Sequence, residues 1–149
     1  MRRRVPLTFL PDIVVDAAVI KPDADVECSN EMACGHPTGV RDLWVLEEDE
    51  IVNVRKHGAC TQETTGELLP VRADHYMEGV NARYSAGWWA YGRDGIPFAA
   101  KGDSGSVLVD DGRKVVGMVV GIDRDRDGGG DGYVHGIKQI FSALRITLP

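Results

Sequence analysis

Along most of the chain, apolar positions come in short β-branched runs separated by glycine or acidic residues. Ile13-Val-Val-Asp-Ala-Ala-Val-Ile20 is one such run, interrupted by a single acid. Leu43-Trp-Val-Leu46 and Ile51-Val-Asn-Val54 read as strands flanking Glu47-Glu-Asp-Glu50, an acidic cluster suited to a solvated turn. Leu68 to Val71 is another short strand, and Tyr84 to Tyr91, with Trp88 and Trp89, a further one. The clearest signal is a hairpin. Ser106-Val-Leu-Val109 and Val115-Val-Gly-Met-Val-Val-Gly-Ile122 are valine-rich runs on either side of Asp110-Asp-Gly112, and a glycine-containing turn between such runs predicts paired strands. Only the C-terminal end has a helical period. From Gly136 to Leu148, apolar residues fall at Ile137, Ile140, Phe141, Leu144 and Leu148, the spacing of an amphipathic helix. The prediction is an all-β fold, Greek-key-like or a barrel, followed by one helix. The 18 glycines suit a small barrel with many tight turns.

Size and charge narrow this picture. A chain of 149 residues with 43% hydrophobic content holds one cored domain, or one barrel and the edge of another. A net charge of -6 argues against nucleic acid as a partner, which would need a basic face. The apolar runs are too short for a membrane-spanning helix. Met1-Arg-Arg-Arg4 is basic, but Asp12 and Asp16 interrupt the residues after it, so no secretory signal is expected. The cysteines are Cys28, Cys34 and Cys60, an odd count that does not read as a disulfide framework. Cys28 and Cys34 are spaced so that they could pair, or join His36 and Cys60 around a metal, although Cys-x5-Cys-x-His is not a standard zinc pattern. Reduced thiols, an intracellular location and no cofactor are the expectation.

The most informative stretch is Phe98-Ala-Ala-Lys-Gly-Asp-Ser-Gly-Ser106. A serine hydroxyl is a poor nucleophile at neutral pH. It needs a base beside it and donors for the oxyanion that forms. Glycines on both sides of Ser104 let the backbone bend so that main-chain N–H groups converge on one point. The α/β-hydrolase elbow, G-x-S-x-G between a strand and a helix, does not fit. Position 106 is Ser, and Val107-Leu-Val109 after it is a strand.

Gly102-Asp-Ser-Gly-Ser106 followed by a valine-rich hairpin resembles the trypsin/chymotrypsin-like serine peptidases, most of all their disulfide-poor bacterial, viral and fungal branches. Other segments match in the same order. Asp16-Ala-Ala-Val19 resembles the strand that supplies the triad aspartate. Val54-Arg-Lys-His-Gly58 with Thr64-Thr-Gly66 resembles the opening of the second barrel. Tyr133 and the helix ending Ala143-Leu-Arg-Ile146 resemble the terminal helix that docks on that barrel. The resemblance spans about Val14 to Leu148. It implies a chymotrypsin-like, six-stranded Greek-key barrel with a C-terminal α-helix, within an incomplete two-barrel protease. Residues 1–22 would be a remnant of the first barrel, 23–50 the inter-barrel linker, and 51–149 the second barrel. It also implies a serine endopeptidase acting on peptide or protein substrates. Ser104 would be the nucleophile, the amides of Gly102 and Ser104 the oxyanion hole, and Asp16 the group that orients the catalytic imidazole.

One departure from the family is decisive. Its catalytic histidine lies upstream of the aspartate, whereas His36, His57, His75 and His135 all lie downstream of Asp16. The first barrel is nearly absent, so the chain reads as a fragment of a longer protease, a partner of a separate upstream barrel, or a protease-like interaction module without catalysis. Alone it is expected to be inactive, because triad removal leaves only modest catalysis. By the same resemblance Phe98 would sit at the base of the P1 pocket, with Ile122 and Asp123 on its wall. The run Asp123-Arg-Asp-Arg-Asp-Gly128 also matches the start of a calcium loop. Asp123, Asp125, Asp127 and Asp131 are the candidate ligands, but Val134 stands where the bidentate glutamate belongs. A calcium-binding β domain is therefore a third reading, against a plain solvated loop with no metal.

Overall fold

The computed structural model describes residues 3–5, 13–19, 21–29, 31–33, 35–77, 82–123 and 129–146. In chain order its strands are β1 (Arg3–Val5), β2 (Ile13–Val15), β3 (Gly39–Val40), β4 (Val52–Gly58), β5 (Gln62–Met77), β6 (Ala82–Gly92), β7 (Ala99–Ala100), β8 (Val107–Asp110), β9 (Lys114–Ile122), β10 (Gly129–Gly130) and β11 (Gly132–Gly136), followed by helix α1 (Ile137–Leu144). The order β11-β6-β5-β4-β8-β9, with β11 also paired to β9, closes an antiparallel barrel of six strands. The expected all-β barrel with a terminal helix is the observed fold.

Alternation builds the barrel. Along β4, Val52, Val54, Lys56 and Gly58 are buried while Asn53 and His57 are exposed, as the two-residue period of a strand requires. The interior is filled by Val52, Leu68, Trp88, Phe98, Leu108 and Val119, with their neighbours. The β8–β9 hairpin forms as the valine runs predict, its register shifted once between Leu108 and Val109.

Two elements differ from the sequence expectation. Leu43-Trp-Val-Leu46 is not a strand: Leu43–Val45 is a 3₁₀ turn whose N-cap Asp42 accepts a hydrogen bond from the Trp44 amide at 3.0 Å. That cap satisfies an amide that a sheet would otherwise pair, and the turn lets Leu43 and Trp44 both pack against the core. His135 lies inside β11. The helix ends at Leu144, where Arg145 turns left-handed (φ 55°) and the Ile146 amide returns to Phe141 O at 2.9 Å. Leu148 lies outside the described residues.

β1 and β2 pair antiparallel, with Arg3 opposite Val15. Val15 buries against Ile140 and Ala143 of α1. Packing against the terminal helix thus lays the segment that carries Asp16 along the outside of the barrel.

Candidate active site

Ser104 stands at the corner of two overlapping turns. The Asp103 amide donates to Ala100 O at 3.0 Å, and the Ser106 amide to Asp103 O at 2.9 Å. The third residue of each turn has a positive φ: Gly102 at 110° and Gly105 at 95°. A positive φ at that position is the type II form, which glycine adopts without Cβ strain. The Gly105 amide then donates to Val119 O at 2.8 Å and the Val119 amide to Ser106 O at 2.9 Å, which stitches the turn to β9. Ser104 is left exposed. The amides of Gly102 and Ser104 have no hydrogen-bond partner among the described residues.

The turn is anchored by Asp103, whose side chain is wholly buried. Its Oδ1 accepts from the amides of Cys60 (2.8 Å) and Thr61 (3.2 Å). Its Oδ2 accepts from the Ala100 amide (2.9 Å), the Thr61 hydroxyl (2.7 Å) and Lys56 Nζ (3.2 Å). Burial alone would raise the Asp103 pKa. The Thr61 hydroxyl and the three amides reverse that and hold the carboxyl below the usual carboxylate range. Burial lowers the Lys56 pKa, and Asp103 opposes the shift. Lys56 occupies an inward position of β4, so its charge is carried through the barrel wall to the underside of the serine turn. This residue was not singled out from sequence, although a lysine at a buried position of a Val-x-Val-x-Lys alternation is a readable signal of a buried partner.

Asp16 sits elsewhere on the same barrel surface. The Tyr84 hydroxyl donates to Asp16 Oδ2 at 2.8 Å. Tyr84 is itself buried beside Val120 and Tyr133. Ser104's turn and Asp16's hydrogen-bond donor therefore attach to adjacent residues of β9, Val119 and Val120. His135 lies behind this group, its ring 5.5 Å from that of Tyr84. Burial drives its pKa down to about 4, against the pull of the Asp16 charge. Neither of its ring nitrogens has a hydrogen-bond partner among the described residues. Tyr133 completes the cluster by accepting from the Gly87 amide (2.9 Å) and donating to Ala73 O (2.7 Å).

No histidine hydrogen-bonds Ser104 among the described residues. His36 and His57 are exposed. His75 packs edge-on against Trp89 at 5.1 Å. Phe98, placed by the sequence reading at the base of a substrate pocket, is fully buried in the barrel core. Ile122 is half-buried and Asp123 exposed, and Asp123 with Asp131 borders an open groove alongside Ile96 and Pro97. Asp123 and Asp131 are joined by a backbone hydrogen bond of 3.0 Å. Asp125 and Asp127 lie outside the described residues, as does Cys34. Among the described residues no cluster of three or more metal-ligating side chains occurs, and Cys28 and Cys60 are free thiols.

No family model matches the sequence, and no curated protein matches it. Solved structures do match in fold. One is a glutamic-acid-specific serine protease, described as using a novel histidine triad in substrate binding. It superimposes with a TM-score of 0.57 at 16% sequence identity, over 76% of this chain and 54% of that one. The chain thus spans about half the length of that protease. At this identity the likeness establishes the fold: a chymotrypsin-like barrel with its terminal helix.

Proposed function

We propose that this chain carries the nucleophile-bearing barrel of a serine endopeptidase. The observation that carries the reading is the exposed Ser104 on a turn anchored by the buried Lys56–Asp103 pair, flanked by the unpartnered amides of Gly102 and Ser104. In this reading the Ser104 hydroxyl attacks the scissile carbonyl carbon as a base takes its proton. The carbonyl oxygen becomes an oxyanion between the Gly102 and Ser104 amides, the largest electrostatic contribution such a site makes. Collapse expels the amine, which receives the proton back from the base, and water then hydrolyses the acyl ester. Asp16, held by Tyr84, is the carboxylate that would orient the imidazole. In this reading the imidazole would be supplied by a separate first barrel, because no histidine hydrogen-bonds Ser104 among the described residues.

Purified residues 1–149 are expected to hydrolyse no peptide substrate, since no histidine hydrogen-bonds Ser104 among the described residues. The site is tested without a base by adding a peptidyl boronic acid and following boron by NMR. A tetrahedral adduct in the wild-type chain that is lost in Ser104→Ala supports the reading. Identical trigonal boron in both proteins overturns it.

A second reading rests on the same absent histidine: a protease-like interaction module without catalysis. Pairing the chain with an upstream barrel that carries a histidine separates the two. Turnover dependent on Ser104 supports the endopeptidase, and its absence the module.

A further inference from the structure

Cys60 touches the serine turn at a place where one peptide group decides its chemistry. Ala100, Lys101, Gly102 and Asp103 form a β-turn closed by the Asp103 amide on Ala100 O at 3.0 Å. The central peptide of that turn joins Lys101 to Gly102. Types I and II of a β-turn differ chiefly by a half-rotation of this central peptide, and a positive φ at the third residue marks type II. Gly102, at φ 110°, is in the type II form. Because the peptide is planar and trans, its C=O and N–H point in opposite directions. Whatever holds Lys101 O therefore aims the Gly102 N–H.

That group is the Cys60 thiol. Cys60 Sγ donates to Lys101 O at 3.0 Å. The sulfur also lies so close under the glycine that a Cβ at position 102 would come within 2.9 Å of it. The thiol is held there from its own backbone, since the Cys60 amide donates to Asp103 Oδ1 at 2.8 Å. Asp103 in turn clamps the start of the turn by accepting from the Ala100 amide at 2.9 Å. The turn is thus fixed at both ends by Asp103, and its middle is fixed by Cys60. A thiol is a weak donor. Here it has only to choose between two turn forms that share the same end points. In the other form Lys101 O would leave the sulfur and swing toward the position now faced by the Gly102 N–H, presenting a carbonyl dipole where an oxyanion must bind.

We propose that Cys60 is a positioning residue that selects the type II form of the Ala100–Asp103 turn and so aims the Gly102 amide at the substrate. This rests on the reading of Gly102 as an oxyanion donor. The selection of the turn form, however, is a separate physical claim that can be measured without chemistry at Ser104.

The test compares the full chain with Cys60→Ser, which keeps a donor, and Cys60→Ala, which removes it. Nuclear Overhauser contacts report the peptide orientation directly. In type II the Lys101 Hα lies close to the Gly102 amide proton. In type I the two amide protons lie close instead. Wild type and Cys60→Ser are expected to show the first pattern, and Cys60→Ala a shift to the second, with unchanged thermal unfolding because Cys60 is exposed. Boronate affinity at Ser104 is expected to fall by roughly tenfold or more in Cys60→Ala alone, against the about 10²–10³ in rate that complete loss of one oxyanion donor costs. A Cys60→Ala chain that retains the type II pattern overturns the proposal. A wild-type chain that forms no boronate adduct strikes the peptidase reading and leaves the turn measurement to decide the role of Cys60.

Discussion

Lys56 Nζ lies 3.2 Å from Asp103 Oδ2, and both side chains are wholly removed from solvent. The pair couples an inward position of β4 to the residue that immediately precedes Ser104. Breaking a buried pair from one side leaves an uncompensated charge, which costs about 3–5 kcal/mol. Lys56→Met is therefore expected to lower unfolding stability by that amount and to loosen the turn at Ser104. Adding Asp103→Asn to Lys56→Met removes the stranded charge and is expected to return part of the loss. Urea unfolding of the two variants checks this. Equal stability of Lys56→Met and wild type would sink the anchoring role.

Tyr84 is buried, and its hydroxyl holds Asp16. A hydrogen bond to a charged group contributes about 1.5–3 kcal/mol. Asp16 is only half-buried, so solvent competes and the lower end applies. Tyr84→Phe is expected to cost about 1.5 kcal/mol, and Asp16→Asn in the Tyr84→Phe background little more. A double-mutant cycle by chemical denaturation measures the coupling, and additive single losses would show that the two side chains do not interact.

His135 makes the protein sensitive to moderate acid. Its folded pKa is about 4, against 6.5 for an ordinary histidine, so the unfolded chain binds the proton first. Stability is then full above about pH 6.5 and falls as pH drops toward 4, by roughly 3 kcal/mol in all. His135→Met fills a closer volume and removes two nitrogens that have no hydrogen-bond partner among the described residues. It is expected to be at least as stable as wild type at pH 7 and to flatten the loss between pH 6.5 and 4. Unfolding curves over that range that are parallel for the two proteins would refute the assignment.

Gly102 carries both the positive φ and the close sulfur. Alanine there is strained by its backbone and meets Cys60 Sγ at 2.9 Å. Gly102→Ala is expected to cost about 1–3 kcal/mol and to drive the turn toward the type I form. Cys60→Ala added to it relieves the contact but not the φ, so the double variant should recover only part of the stability, as thermal unfolding would show.

The proposed reading needs a general base beside Ser104 that this chain's own histidines do not supply among the described residues. Under the proposed endopeptidase reading, a histidine-bearing first barrel of this fold supplied in trans is expected to give peptide hydrolysis that Ser104→Ala abolishes. Hydrolysis by residues 1–149 alone, dependent on Ser104, would show instead that the base lies within this chain.

The hairpin at Ser106–Ile122, the barrel class and the serine turn were all legible in the sequence, because each is written in a local period or a local run of glycines. Val115 to Ile122 had to be a strand, and glycines on either side of Asp103-Ser104 had to permit a sharp bend. The terminal helix was legible for the same reason, although its end was not, since Arg145 stops it through a left-handed backbone that no residue preference announces. Only the tertiary structure decided what lies beneath Ser104. Lys56 and Asp103 are 47 residues apart, and nothing local to either names the other. Their pairing follows from barrel closure, which turns position 56 inward under the loop at 103. Tyr84 and Asp16 are likewise 68 residues apart and meet because α1 packs β2 along the outside of the barrel. Cys60 looked incidental as one of three scattered thiols. Its contact with Lys101 O exists because the β4–β5 turn and the serine turn share Asp103 as a common acceptor, a relationship created by the closed sheet and absent from any stretch of sequence.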